Sequence, residues 1–335
     1  MKAARLHAAR DVRIENVPNP VPGPGEVLVR VRAVAICPSD WRLYADGDAG
    51  GKPLAEPIIQ GHEFSGDVVQ LGPGVMAPAV GTRVGVEPSW HCGRCDMCAQ
   101  GKYNICRNIV FPSFPPRDGA LAEFIACPIM NVQALPDNVD YVQGALVEPL
   151  GVALHAVRLA DAKPEDHLII LGAGVIGLFS LILARLSGVA NVTVVEPVSG
   201  RRELAAQLGA TSTSANWREL VENRRGNVVL ECSGESGATE EALELADHGG
   251  KVVVVGIPRP ETVCFEAHLP RRKELTIIFS RRSRDTLSGA LELVSSGRVP
   301  LGWLPVKRFS LDQVSAAMDA TAARPGDMLR AIVEP

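Results

Sequence analysis

Four cysteines fall within fifteen residues, as Cys92-x2-Cys95-x2-Cys98-x7-Cys106. Four thiolates at such spacing can close a tetrahedral shell around zinc and leave no open position, so a zinc there is expected to be structural. An iron–sulfur cluster or a set of reactive thiols are the alternatives. The other four cysteines, Cys37, Cys127, Cys232 and Cys264, stand apart. A second metal set has to be assembled from distant residues. Cys37 opens Cys37-Pro38-Ser39-Asp40, His62 and Glu63 lie in Gly61-His62-Glu63-Phe64-Ser65-Gly66, and Glu148 lies in Val147-Glu148-Pro149-Leu150. A thiolate, an imidazole and carboxylates suit a zinc that keeps one position for water or substrate. Taken singly, each is an ordinary core or hydrogen-bonding residue. What gives them weight is their expected location on either side of a cofactor cleft, whose nucleotide-binding pattern follows them in the chain.

That pattern is Gly172-Ala173-Gly174-Val175-Ile176-Gly177, which follows the apolar run Leu168–Leu171 and opens an apolar helical stretch. Gly172 permits the tight turn, Gly174 lets backbone approach a pyrophosphate, and Gly177 lets helix and sheet pack closely. Free N–H groups at the helix start would face the phosphates. A glycine-rich structural turn is the plain alternative. Glu196 lies 24 positions after Gly172, at the end of the next expected strand. There it can accept hydrogen bonds from ribose hydroxyls and repel an added phosphate, which puts NAD(H) ahead of NADP(H). Arg201 and Arg202 weaken that preference, because a guanidinium can hold a 2′-phosphate; a solvated helix face is their plainer reading. Cys232 and Gly256, at the ends of two later expected strands, are placed with the cofactor.

These residues need elements to hold them. The first 150 or so residues read as short β-like runs broken by Gly and Pro, with Val27–Val34 the clearest strand and no long helical period before Val142. Strands and helices then alternate. A helix is expected over Val142–Leu159, a strand at His167–Leu171, a helix from Gly174 to about Ser187 and a strand at Val192–Glu196. A helix at Arg201–Leu208, a strand at Val228–Cys232, a helix at Ala238–Ala246 and a strand at Lys251–Gly256 follow. Such alternation implies a parallel sheet covered on both faces. Helices at Asp285–Ser295 and Leu311–Ala322 come next, and a last strand, Met328–Val333, has no domain assigned by sequence.

Length allows two domains, since 335 residues exceed the usual single domain. The net charge of −4, without a basic stripe, argues against nucleic acid as a partner. Leu168–Leu186, the most apolar stretch, is broken by three glycines and Arg185, which argues against a membrane span. The chain starts without a signal-peptide pattern, so cytoplasm is the expected compartment and metal binding is preferred to disulfides for the cysteine cluster.

Together these motifs resemble the zinc-containing medium-chain dehydrogenase/reductase family, especially its sorbitol, threonine and sugar-alcohol dehydrogenase branch. Gly61-His62-Glu63, the four-cysteine lobe, Glu148-Pro149-Leu150, the Gly172–Gly177 loop and Glu231-Cys232-Ser233-Gly234 carry the resemblance across nearly the whole chain. It implies an α/β protein in which a GroES-like catalytic domain, built from residues 1–147 and 278–335 with a zinc lobe at 88–108, joins a Rossmann domain at 148–277. The active site is then expected between the domains, and the assembly is expected to be a homodimer or homotetramer. Catalytic zinc is expected on Cys37, His62 and Glu63, with Glu148 binding directly or through water, giving two zincs per subunit. Ser39 matches the hydroxyl residue that hydrogen-bonds substrate oxygen. Arg42 departs from the family, where many relatives carry a proton-accepting histidine. Pro115–Leu121 resembles a loop bordering the substrate pocket, with Tyr44, Phe111 and Phe114 as candidate walls. Arg281 falls near a substrate-contacting arginine of the sorbitol dehydrogenases, and the Arg281–Arg284 run could hold a polyhydroxyl or phosphorylated substrate; a solvated charged turn near a helix start is its plainer reading. The expected reaction is hydride transfer between a secondary alcohol and NAD(+), giving a ketone. Polyols, sugar-alcohol phosphates, aminocyclitols and threonine all remain open as substrates. The rival classes are a zinc-free enone reductase and an inactive nucleotide-binding sensor or structural protein.

Overall fold

The computed structural model describes residues 1–48, 52–222, 225–258, 262–323 and 328–335. The chain divides into two compact units, one made of Met1–Glu148 with Leu287–Pro335 and one of Pro149–Thr286. The first is a β-rich GroES-like domain and the second a parallel Rossmann-type sheet.

In the first unit, the ten-residue strand Glu26–Ala35 is the organising element. Its alternation buries Val27, Val29 and Val31 while Arg30 and Arg32 stay exposed, as expected of a sheet with one face on the core. It pairs antiparallel with Glu63–Leu71, with Phe124–Pro128 and with the C-terminal strand Arg330–Glu334. Arg83–Val86 and Val132–Ala134 extend the sheet on one side and Val306–Ser310 on the other. The last strand thus returns to the first unit, a question sequence pattern left open. A three-stranded sheet of Asp11–Asn16, Lys2–Ala8 and Ile58–Ile59 accompanies it. Both contribute to one core that includes Leu6, Val34, Phe64, Leu121 and Val333.

The second unit is a six-stranded parallel sheet in the spatial order Ser212–Ser214, Asn191–Val195, His167–Leu171, Gly226–Glu231, Ala246–Val254, Thr276–Phe279. Numbered along the chain, this is 3-2-1-4-5-6, whose direction of progression reverses beside His167–Leu171. In open α/β sheets ligands bind at that reversal, outside the carboxyl ends of the strands. The strands there are apolar runs because both faces are covered.

Expected and observed elements agree in most places, with helices at Tyr141–Ala160, Val175–Leu186, Ser199–Gln207, Ala238–Leu245 and Leu287–Ser295. The stretch expected as a helix from Leu311 begins as a 3-10 turn, Leu311–Gln313, and continues as Val314–Ala323. One functional element differs from expectation: Pro38–Asp46 is a nine-residue helix within the β-rich half. Pro38 supplies a preset φ at the first position, Asp40 accepts from the Cys37 N–H, and Gly47 ends the helix at φ 66°.

Candidate metal and nucleotide sites

The helix Pro38–Asp46 starts where the strand Glu26–Ala35 ends, so Cys37 sits at the strand-to-helix turn. Ala35 pairs directly with Glu63 on the neighbouring strand, which brings His62 and Glu63 beside Cys37. Gly61 makes this approach possible. Its φ is +92°, and an added Cβ would lie 2.9 Å from both Leu121 Cγ and Val34 Cγ1. One ligand atom each from Cys37, His62 and Glu63 lies within 4.8 Å of the others. His62 and Glu63 are buried and Cys37 is half-buried.

The cluster is held from outside by Asp40. Its Oδ2 accepts from the Cys37 N–H at 3.1 Å, and its Oδ1 meets His62 Nδ1 at 3.2 Å. Oδ1 also accepts from the Gly61 N–H at 3.2 Å and the Ser113 hydroxyl at 2.5 Å. Burial alone would push the Asp40 carboxyl up, but His62 and these donors bring it below its ordinary value. For His62, burial would lower the pKa, and the Asp40 carboxylate outweighs this and raises it well above the usual imidazole range. With Nδ1 committed to Asp40, Nε2 is the imidazole nitrogen left to face a metal, an orientation common to zinc-binding histidines. Phe111 packs against the His62 ring at a tilt of 54°, with centroids 4.8 Å apart.

Glu63 is divided between two tasks. Its Oε1 accepts from Arg330 Nη2 at 2.9 Å in a buried ion pair, and Arg330 Nη1 also reaches the Ile36 carbonyl at 3.3 Å. Among the described residues its Oε2 is buried with no N–H or O–H donor, and the neighbouring polar group is the Cys37 thiol. A buried carboxylate oxygen without a donor is costly, and a divalent cation on the Cys37–His62–Glu63 side would satisfy it. These residues therefore fit zinc. Burial raises the Glu63 pKa despite Arg330. Glu148 stands outside the three-residue set but is electrostatically tied to it. Burial first and Glu63 second push its carboxyl up to about 8, with His62 and Arg330 opposing. A cation in the cluster would pull both carboxyls down.

Ser39 occupies the first turn of the helix, half-buried and two residues from Cys37. The capping task at this turn belongs to Asp40, which leaves the Ser39 hydroxyl without a partner among the described residues. Tyr44 is not brought to the cluster. It is 3% exposed in the core of the first unit, with Arg10 over its ring and Ser315 at its hydroxyl. The physical reason is the helix itself, whose inward face carries Leu43 and Tyr44 into the core. Phe114 packs on Phe111 at 5.9 Å. Arg281 is exposed in the second unit.

The four-cysteine loop forms a second cluster, again with one atom per residue within 4.8 Å. Sγ–Sγ separations of 3.5 Å for Cys95–Cys98, 3.8 Å for Cys95–Cys106 and 3.5 Å for Cys92–Cys106 are close to the edge of a zinc–thiolate tetrahedron, about 3.8 Å for bonds of about 2.3 Å. N–H groups aim at the sulfurs, from Cys92 and Asn108 to Cys106 at 3.4 and 3.3 Å, and from the Asn108 amide to Cys92 at 3.7 Å. The Arg94 N–H and the Asn108 amide bring Cys92 down to about 6, while desolvation and the neighbouring sulfurs push Cys98 up to about 12. Four sulfurs at these separations could share one cation, and the set fits zinc. Tyr103 connects this lobe to the sheet, packing on His91 and donating to the buried Glu87 at 3.2 Å.

In the second unit, Gly172 turns the chain at φ +96°, and a Cβ on Gly177 would fall 1.9 Å from the Gly172 carbonyl oxygen. Gly174, the N-cap of Val175–Leu186, has nothing within 4 Å of where a Cβ would stand, an open cradle at a helix start with no side-chain cap. Val175 and Ile176 form the first turn of that helix. Glu196 holds the loop, accepting from the Ala173 N–H at 2.8 Å and the Val198 N–H at 3.0 Å. Arg202 donates to the carbonyls of Glu196 and Pro197, and Arg201 lies beside it in the first turn of the helix Ser199–Gln207. Cys232 donates its N–H to Leu171, and burial pushes its thiol well up. Gly256 approaches Gly234 so closely that a Cβ would lie 2.3 Å from its nitrogen. The loop geometry fits a dinucleotide.

Sequence reasoning did not include Arg330 or Ser113. Arg330 has a signal, a lone charge within the apolar run Met328–Val333. Ser113 has none.

Comparison with known proteins agrees with the geometry. Residues 23–137 match the alcohol dehydrogenase GroES-like domain, and residues 175–296 match the zinc-binding dehydrogenase domain. Sorbitol dehydrogenase of Bacillus subtilis (strain 168) is 33% identical over 100% of this chain and 97% of its own. The chain belongs to the zinc-type medium-chain dehydrogenase/reductase family, in its polyol and sugar-alcohol dehydrogenase-like branch. Sorbitol dehydrogenase of Bombyx mori is 34% identical over 95% of this chain and 94% of its own. Among solved structures, an Escherichia coli oxidoreductase/dehydrogenase of unknown specificity superposes with a TM-score of 0.91 at 32% identity, covering 99% of this chain and 98% of that one. No helix among the described residues of this dehydrogenase-family chain is long and apolar enough to cross a membrane.

Proposed function

We propose that the protein is a zinc-dependent dehydrogenase that moves hydride between the secondary alcohol of a polyol or similar hydroxy compound and NAD, giving the ketone. The observation that carries this is the largely buried Cys37–His62–Glu63 cluster, whose Glu63 Oε2 has no N–H or O–H donor among the described residues. The Gly174 cradle and the dehydrogenase relatives support the cofactor and the substrate class. Zinc held by these residues would act as a Lewis acid on a hydroxyl or carbonyl oxygen, and a bound nicotinamide would take or give hydride at the carbinol carbon.

The chain's own residues supply the rest. Asp40 fixes the His62 ring, and Arg330 holds the Glu63 carboxylate. Glu148, whose carboxyl burial and Glu63 push up to about 8 in the metal-free protein, serves as a further ligand directly or through water. Ser39 accepts a hydrogen bond from the substrate hydroxyl and relays its proton, releasing its own hydroxyl proton in the same step. Arg42 cannot accept that proton at ordinary pH, so it passes to solvent. Phe111 walls the substrate side of His62, and Arg281 contacts substrate hydroxyl or phosphate groups. Glu196 selects NAD over NADP, and the Cys92–Cys106 lobe holds a second, structural zinc. A homodimer or homotetramer is the proposed assembly.

The test is zinc content per chain, together with NAD(P)H turnover on polyols, their phosphates, aminocyclitols, threonine and simple secondary alcohols, with Cys37→Ala alongside. Near two zincs in the parent, one in the variant, and turnover only in the parent support the proposal. One zinc in both proteins and no turnover anywhere refute it and leave a nucleotide-binding protein with a zinc-braced lobe.

A further inference from the structure

Six non-glycine residues among those described have positive φ, and Ser113 is the only one that is buried, with φ 85° and 0% exposure. A side chain is rarely kept in that conformation unless its surroundings require it. Here they do. The Ser113 hydroxyl donates to Asp40 Oδ1 at 2.5 Å and accepts from the Gly61 N–H at 3.0 Å, while its own N–H donates to the Arg117 carbonyl. Oδ1 is the same Asp40 oxygen that meets His62 Nδ1. The segment therefore grips His62 twice, through Phe111 against the ring and through Ser113 on the carboxylate that orients it.

We propose that Ser113 is a positioning residue of the catalytic zinc site, acting through Asp40 to fix the metal-binding face of His62. This rests on the zinc reading of the Cys37–His62–Glu63 cluster. Without the hydroxyl, Asp40 Oδ1 keeps only Gly61 and His62, and the carboxylate and ring regain rotational freedom that a bound metal must remove. The outer partners of zinc-binding histidines typically change metal affinity by about 10- to 100-fold. Ser113 stands one hydrogen bond further out, so the expected change is at the lower end, about tenfold.

Two substitutions separate this role from a purely local one. Ser113→Gly removes the hydroxyl but suits the positive φ, whereas Ser113→Ala removes the hydroxyl and keeps the unfavourable backbone. Zinc affinity of the full-length protein is measured by competition with a chromophoric chelator, with Cys37→Ala marking the signal of the four-cysteine lobe. Urea midpoints are measured on the same samples. The expected result is about tenfold weaker zinc retention at the Cys37 site in both variants, with Ser113→Gly unfolding no earlier than the parent. Parent-like zinc affinity in Ser113→Gly overturns the inference. A parent that holds no zinc beyond the signal remaining in Cys37→Ala overturns the zinc reading itself, and the inference falls with it.

Discussion

Replacing Arg330 by Met tests how far the site depends on a buried ion pair. Arg330 and Glu63 are 2.9 Å apart, with 5% and 2% of their side chains exposed. Removing one partner of a buried pair strands the other charge, at a cost of about 3–5 kcal/mol. In a unit of roughly 200 residues, each kcal/mol corresponds to about 2–4 °C in Tm, so a fall of about 6–20 °C is expected. The cost depends on pH, and the sign follows from Glu63. Burial raises the folded-state pKa of Glu63, and Arg330 is the largest influence opposing that rise. Without Arg330 the folded pKa climbs further above the unfolded value. The folded state then binds the proton more tightly, and stability is lost as pH rises above about 4.3, the unfolded pKa of glutamate. In the zinc-free proteins, the deficit of Arg330→Met relative to the parent should be small near pH 5 and grow toward pH 8. Urea unfolding can be followed in a Trp217→Phe background, where Trp41, Trp90 and Trp303 all report on the first unit. Adding Glu63→Gln to Arg330→Met should recover most of the loss at pH 8. A variant within about 0.5 kcal/mol of the parent at pH 8, or a deficit that does not change with pH, would refute the reasoning.

Three further predictions concern other parts of the chain. Glu196→Ser should lower kcat/KM with NAD and raise the NADP-to-NAD ratio, since the carboxylate that repels a 2′-phosphate is gone; an unchanged ratio counts against its proposed role. Cys95→Ser should remove one zinc per chain and lower the first thermal transition, because the lobe's thiolates need a cation; metal analysis and calorimetry check this. His155 is driven down to about 4, by burial first and then by Arg284 and Arg158. Its folded pKa lies below the unfolded value of about 6.5, so its contribution is intact above that pH and is lost as pH falls toward 4, by up to about 1.4 kcal/mol per pH unit. His155→Gln should flatten the acid limb of the stability profile, and a limb of parent steepness would remove His155 as its cause.

Much of the second unit was legible because its signals are local. Apolar runs of five residues, helical periods between them and the glycine spacing each report on their own neighbourhood. The four-cysteine lobe is similarly local. What sequence did not convey is pairing at long range. Glu63 and Arg330 are 267 positions apart, and Ser113 and Asp40 are 73 apart. Periodicity shows which face of a strand is buried but not which residue lies opposite. Tyr44 was assigned by residue type, and the helix that turns it into the core was not expected. That helix is short, yet its end signals are present in Pro38, Asp40 and Gly47. They identify an element that periodicity over nine residues does not.

The register of one strand accounts for the order of the cluster. Ala35 pairs with Glu63 on one side and Ile332 on the other, and the Ile36 N–H donates to the Ala331 carbonyl. Those pairings put Cys37 just past a strand end, Glu63 beside it and Arg330 two residues from Ile332, within reach of Glu63. A one-residue slip on either side would send the interacting side chains to the opposite face. The slip is opposed by what lies beneath, since Val34, Phe64 and Val333 are each fully buried in the same core. The core fixes register, register fixes the separation of Cys37, His62 and Glu63, and that separation decides whether their donor atoms can share an ion. The C-terminal strand is therefore part of the site although it holds none of the three ligands, because its register delivers the Arg330 charge that opposes the effect of burial on Glu63.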